Sequence, residues 1–115
     1  MKKIILIALF SVFASNFVTA QKHAPRPSNQ RKITPGIYPE GSTRYINEND
    51  LRGLDSWDLK VFRNEIYARH GFIFTTPNMI DYFREQKWYR PRRKDVKSLL
   101  SAVEKENIQF IKSYE

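Results

Sequence analysis

The chain contains no cysteine. That excludes disulfide staples, thiolate zinc sites, a thiol nucleophile and a cysteine-borne lipid. Histidine is almost as scarce, with His23 and His70 the two copies, and no His-Glu-x-x-His pattern occurs, so a metal site is not expected. Long hydrophobic runs are missing too. The longest apolar stretch, Ile4 to Val18, is fifteen residues and includes two serines and an asparagine, whereas a membrane-spanning helix needs about 20 predominantly apolar residues. Acids are outnumbered, 12 against 20 Lys+Arg, for a net charge of +8. There is no internal repeat.

What is present suits one small folded unit. A length of 115 residues argues for a single domain. The 41% hydrophobic and 28% charged content is ordinary globular composition, and 14% aromatic residues can build a small core. Residues 1–20 read as a secretory signal peptide: basic Lys2 and Lys3, an apolar run to Phe13, then Val18-Thr19-Ala20 before Gln21. Cleavage after Ala20 leaves 95 residues and removes two lysines, so the net charge falls to +6. The expected location is therefore periplasmic or extracellular.

Residues 21–44 read as a proline-rich basic linker, extended and disordered. Four of the six prolines lie here, and up to Gly36 the segment carries Lys22, Arg26, Arg31 and Lys32 with no acid. It is either a basic arm for an anionic surface or a solvated spacer, and short charge runs favour the spacer.

From Tyr45 the pattern becomes helical. Leu51, Leu54, Leu59, Phe62 and Ile66 recur at helical spacing. Asp55-Ser-Trp-Asp58 resembles a capping box, which predicts a helix from about Ser56 to His70, stopped by Gly71 as a left-handed terminal residue. Thr76 and Pro77 restart a helix with Met79, Ile80 and Phe83 on its apolar face. A last helix is expected from about Val96 to Ser113. The fold class is thus mainly α, a small single-domain helical bundle of three to four short helices following the signal peptide and linker. Two polar residues fall on apolar stripes: His70 on the first long helix and Asn107 on the last. Buried there, each needs hydrogen-bond partners. The expectation is that they satisfy one another, backbone carbonyls or Arg63.

The string Tyr67-Ala68-Arg69-His70-Gly71, preceded by Asn64-Glu65-Ile66, resembles the YARHG domain family. Arg44 to Leu51 resembles its lead-in. Tyr82-Phe83 with Trp88-Tyr89-x-Pro91, and Glu104-Lys105-x-Asn107-Ile108-x-x-Ile111, resemble its later blocks. The resemblance covers residues 45–115 and implies an extracytoplasmic module, attached in relatives to peptidases, kinases or other envelope proteins. It supplies no catalytic residues to carry over. The tract Arg90 to Lys97 departs from the family pattern in being more basic.

Candidate chemistry is limited. No Ser/His/Asp arrangement can be defended. Glu65 and His70 lie five residues apart around a helix, and Glu104 and Glu106 face different ways, so no catalysis and no cofactor are expected. Candidate structural residues are Arg63, Tyr67, Ala68, Arg69, His70, Gly71, Trp88 and Asn107. Candidate binding residues are Tyr67, Arg69, Arg90, Arg92, Arg93, Lys94 and Lys97. Tyr67 and Arg69 form either a cup for an anionic or sugar group or part of the helix cap and core, and a lone histidine beside them favours the latter. Trp88 is expected to pack inside. From Arg84 to Lys97 seven cations face two acids. In a cytoplasmic protein that would suggest single-stranded nucleic acid; an export signal points instead to an anionic envelope polymer or an envelope protein. The expected function is a noncatalytic interaction module of the bacterial envelope, contacting an anionic or peptidoglycan-like surface or a protein. The alternative is an accessory or inhibitory domain acting on an envelope enzyme. N-terminal sequencing of the exported protein is expected to begin at Gln21; a start at Met1 would defeat the signal-peptide reading.

Overall fold

The computed structural model describes residues 33–115; the expected signal peptide and the linker up to Lys32 lie outside the described residues. The unit Ile33–Glu115 is mainly helical, with no strand among the described residues. A 3-10 turn at Pro39–Ser42 leads to α1 (Glu48–Leu51), α2 (Ser56–Arg69), α3 (Pro77–Arg84), a 3-10 turn at Lys97–Leu99 and α4 (Ala102–Lys112). The long helix α2 is the hub. It packs against α4, α3 and the first 3-10 turn, and α4 also packs on that turn.

Local chemistry explains the boundaries. Three helices begin with a reciprocal capping box: Asn47 with Asp50, Asp55 with Asp58, and Ser101 with Glu104. Each satisfies backbone N–H groups that a helix start would otherwise orphan. α3 begins at Thr76-Pro77 as the sequence predicts, with the proline in the first turn, but the Thr76 side chain makes no capping hydrogen bond. The last helix is shorter than expected. Residues Lys97–Leu99 form the 3-10 turn, Leu100 is extended, and α4 starts after Ser101. The Ser-x-x-Glu signature that fixes this start outweighs the longer apolar periodicity.

α2 ends one residue before the expected His70, which is its C-cap. Gly71 has φ +83°. Its N–H donates to the Ala68 carbonyl and the Phe72 N–H to the Tyr67 carbonyl, the two-bond pattern of a Schellman motif. The ring of Tyr67 meets that of Phe72 with centroids 5.8 Å apart, the hydrophobic clasp that accompanies such an end. The five-residue motif is therefore a helix terminus written out in sequence.

Two apolar clusters result. One joins Ile46, Leu51, Leu59, Phe62, Ile66, Ile108 and Ile111; the other joins Ala68, Phe74, Met79 and Phe83. Tyr67 packs against both. Ile80, expected on the apolar face of α3, is instead solvent-exposed. Trp88, expected inside, is half-buried, meeting Phe83 edge-on.

The segment from Ile33 to Arg44, expected as the end of a disordered linker, belongs to the fold. Tyr38 stacks flat on Phe62 with centroids 4.4 Å apart. Gly41 is buried against Phe62 and Ile66. Prolines and glycines that break periodicity here shape a packed turn, so the compositional sign of a linker was misleading from Ile33 onward.

A Cβ added at Gly71 would lie 3.0 Å from the Arg90 carbonyl oxygen, whereas one at Gly53, with φ +82°, meets nothing within 4 Å. Gly53→Ala is expected to cost about 1 kcal/mol for the left-handed backbone alone. Gly71→Ala is expected to cost about 2 kcal/mol or more in urea denaturation, since crowding adds to the same strain. Equal losses would show that the approach of the Arg90 carbonyl contributes nothing.

Candidate functional site

α2 carries a buried charge pair one turn from its end. Glu65 is fully buried, and Arg69 donates to it at 3.2 Å. The Glu65 carboxylate also accepts the N–H groups of Ile37 and Tyr38, each at 2.8 Å. Arg69 donates further to the Pro35 carbonyl at 2.7 Å, the Tyr38 carbonyl at 2.8 Å and the Ser42 hydroxyl oxygen at 2.7 Å. The N-terminal arm is clamped on both sides of one ion pair. Gly36, with φ +116°, lies so close that a Cβ there would sit 2.7 Å from Glu65 Oε1. Burial raises the Glu65 pKa, opposed by the two amides and by Arg69. Burial likewise lowers that of Arg69.

A second polar set lies beside it. His70 Nε2–H donates to both oxygens of Glu104, at 2.9 and 3.0 Å. Glu104 also accepts from Ser101 N–H at 2.9 Å, so one carboxylate serves both helix cap and histidine. Burial alone would raise its pKa, but the hydrogen bonds from Ser101, His70 and Ser42 prevail and hold it below the ordinary value. Asn107, on α4, accepts from Ile46 N–H at 3.0 Å and donates to the carbonyls of Gly41 at 2.9 Å and Arg44 at 2.8 Å.

The expected sharing between His70 and Asn107 is corrected by these bonds. Asn107 uses backbone groups, as one expected route had it, while His70 turns to Glu104. Arg63 joins neither and pairs with Glu115 at 3.0 Å. Of the two readings of Tyr67 and Arg69, a ligand cup or the helix cap and core, Arg69 follows the favoured second one, which corrects its place among the candidate binding residues. The Arg69 side chain is 7% exposed and its hydrogen bonds point inward, so it holds the arm. Glu65 and Glu104 are the residues that sequence reasoning missed. Their signals were present: a Glu–Arg pair at i,i+4 and the Ser101-x-x-Glu104 box.

The basic tract is exposed. Arg90, Arg92, Arg93, Lys94 and Lys97 all lie on the surface and make no ion pair among the described residues. They line two recesses. One, of about 270 Å³, is bounded by Ala68, Arg69, His70, Gly71, Trp88 and the three arginines with Leu99. The other, of about 440 Å³, is bounded by Arg63, Asn64, Tyr67, Phe72 and the stretch Lys94–Lys97. Tyr67 thus faces the lysines, and His70 the arginines. Among the described residues no cluster of three His, Asp or Glu side chains could hold a metal ion.

Residues 35–115 match the family model described as the YARHG domain. The chain belongs to the YARHG domain family. The match begins at Pro35, the first residue whose carbonyl Arg69 holds, so the YARHG unit includes the arm that the sequence reading left outside it. No curated protein and no solved structure matches the chain. Within the YARHG string, Ala68 is buried in the second cluster, Gly71 makes the turn, and Tyr67, Arg69 and His70 each fasten a different neighbour.

Arg69→Met would leave Glu65 buried without its partner, and removing one member of such a pair costs about 3 kcal/mol or more. Glu65 has a raised folded pKa, so protonation favours the folded state, and its contribution is greatest below the ordinary 4.5 and declines as pH rises through the folded value. Without Arg69 that rise grows. The stability deficit of the variant in urea is therefore expected to shrink as pH falls from 7 toward 4.5. A deficit constant with pH would show that Arg69 does not compensate the Glu65 charge.

Proposed function

We propose that this YARHG domain is a noncatalytic binding module of the bacterial envelope, exported by its N-terminal signal and retained outside the cytoplasm by contact with an anionic polymer. The observation that carries the reading is the surface segment Arg90–Lys97, whose five cations are exposed and pair with no carboxylate among the described residues. Unpaired like charges held together repel one another, and an anionic partner relieves that repulsion. The polar groups that could serve chemistry are otherwise engaged: Glu65 and Arg69 hold the arm, and Glu104 caps α4 while holding His70. Among the described residues no helix is long and apolar enough to cross a membrane.

An anionic polymer of envelope type meets this surface better than nucleic acid in an exported protein. The arginines do not distinguish carboxylate from phosphate, since their planar forks donate to either in bidentate fashion. Trp88, half-buried beside them, adds an apolar wall.

The test is retention on purified envelope polymer as a function of salt, for the chain and for the variant Arg92→Ser/Arg93→Ser/Lys94→Ser. Binding by the parent is expected to weaken steadily with salt, and the variant to lose about tenfold or more in affinity, a change of about 1.4 kcal/mol, with an unchanged melting profile. Salt-independent binding, or equal retention of the variant, would overturn the polymer reading. Capture of one envelope enzyme by both forms would support an accessory role instead.

A further inference from the structure

The five cations are not spread along a free loop. The Arg92 and Arg93 N–H groups donate to the Gly71 carbonyl at 2.8 and 3.0 Å, and the Ile73 N–H donates to the Arg93 carbonyl at 2.9 Å. The segment is thereby fastened to the end of α2, at the one residue whose left-handed backbone lets the chain approach so closely. Its cations part into two groups. Arg90, Arg92 and Arg93 line the recess of about 270 Å³ with His70 and Trp88. Lys94 and Lys97 line the recess of about 440 Å³ with Arg63 and Tyr67.

The two recesses are lined by consecutive stretches of one segment, Arg90–Arg93 and Lys94–Lys97. From Arg92 to Lys97 even a fully extended backbone reaches at most about 17 Å. The charged ends can stand farther apart than the backbone, and beyond one screening length, about 8 Å at physiological salt, exposed charges act largely independently. The acids nearby cancel only part of this charge: Asp95 borders the lysine recess with one oxygen accepting the Lys97 N–H, Glu104 is engaged by His70, and Glu115 pairs with Arg63. A single small anion in one recess would leave the other group of cations uncompensated.

We propose, resting on the binding role above, that the ligand is a repeating polyanion that places one anionic group in each recess at the same time. The arginine recess grips two oxygens of a group in a fork, and the lysine recess supplies compact point charges. Phosphate and carboxylate repeats share this chemistry. Linking two weak contacts through one chain makes the second effectively intramolecular, which raises affinity without any new contact.

The experiment titrates the full chain with poly(glycerol phosphate) and with polyglutamate, each beside its own repeat unit, glycerol phosphate or glutamate. Three forms are compared: the parent, Arg92→Ser/Arg93→Ser, and Lys94→Ser/Lys97→Ser. At least one polymer is expected to bind about a hundredfold more tightly than its repeat unit at equal anion concentration. Each paired variant is expected to lose most of that advantage, because either recess alone gives only a single contact. Which polymer binds identifies phosphate or carboxylate as the source. Circular dichroism should be unchanged, since all four residues are exposed. If neither polymer binds, the binding role itself fails and this inference with it. If a polymer binds no better than its repeat unit, or only one paired variant matters, the two-recess arrangement alone is overturned.

Discussion

The fold depends on the burial of one ion pair. A carboxylate and a guanidinium taken out of water must find enough hydrogen bonds to replace their hydration. Glu65 and Arg69 sit one turn apart on α2, and the helix by itself offers each only the other. The remaining donors and acceptors come from Pro35, Ile37, Tyr38 and Ser42. The arm is therefore part of the fold because the pair would be half-satisfied without it. Gly36 permits the close approach. Tyr38, once held, covers Phe62 with its ring, and Asn107 fastens the same arm to α4 through Gly41 and Arg44. A polar pair on one helix thus fixes how two other elements meet it.

The end of α2 has a comparable reach. Gly71 stops the helix, and its carbonyl then holds the N–H groups of Arg92 and Arg93. The signature string and the basic surface are one structural device: the terminus that the string encodes is the anchor for the cations. His70, just before the glycine, ties that terminus to α4 through Glu104, and Glu104 in turn caps α4. Few groups carry several duties each, which is how a unit with a modest apolar core stays specified.

Much of this was legible in local sequence. The box of Asp55 and Asp58, the proline opening α3 and the glycine closing α2 are short-range signals, and each names its element because the hydrogen bonds involved span three to five residues. The Ser101 box was equally local, but the apolar spacing from Val96 onward masked it and suggested a longer helix. The arm from Ile33 to Arg44 was not legible. Its hydrogen-bond partners on α2 and α4 lie 27 to 66 residues away, and its composition of prolines, glycines and isolated apolar residues matches a free linker as well as a packed turn. The same distance hid the partner of His70, since Glu104 is 34 residues on. The exposure of the basic tract was readable from charge; its division between two recesses was not.

The sequence by itself determined the helical class, most of the helix ends, the family and the excess of positive charge near Trp88, because caps, turns and composition act through neighbours in the chain. Only the tertiary structure decided which buried charges meet, that the proline-rich arm closes over α2, and which cation faces which recess. Those outcomes follow from the need to satisfy polar groups removed from water, and their partners are chosen by proximity in space.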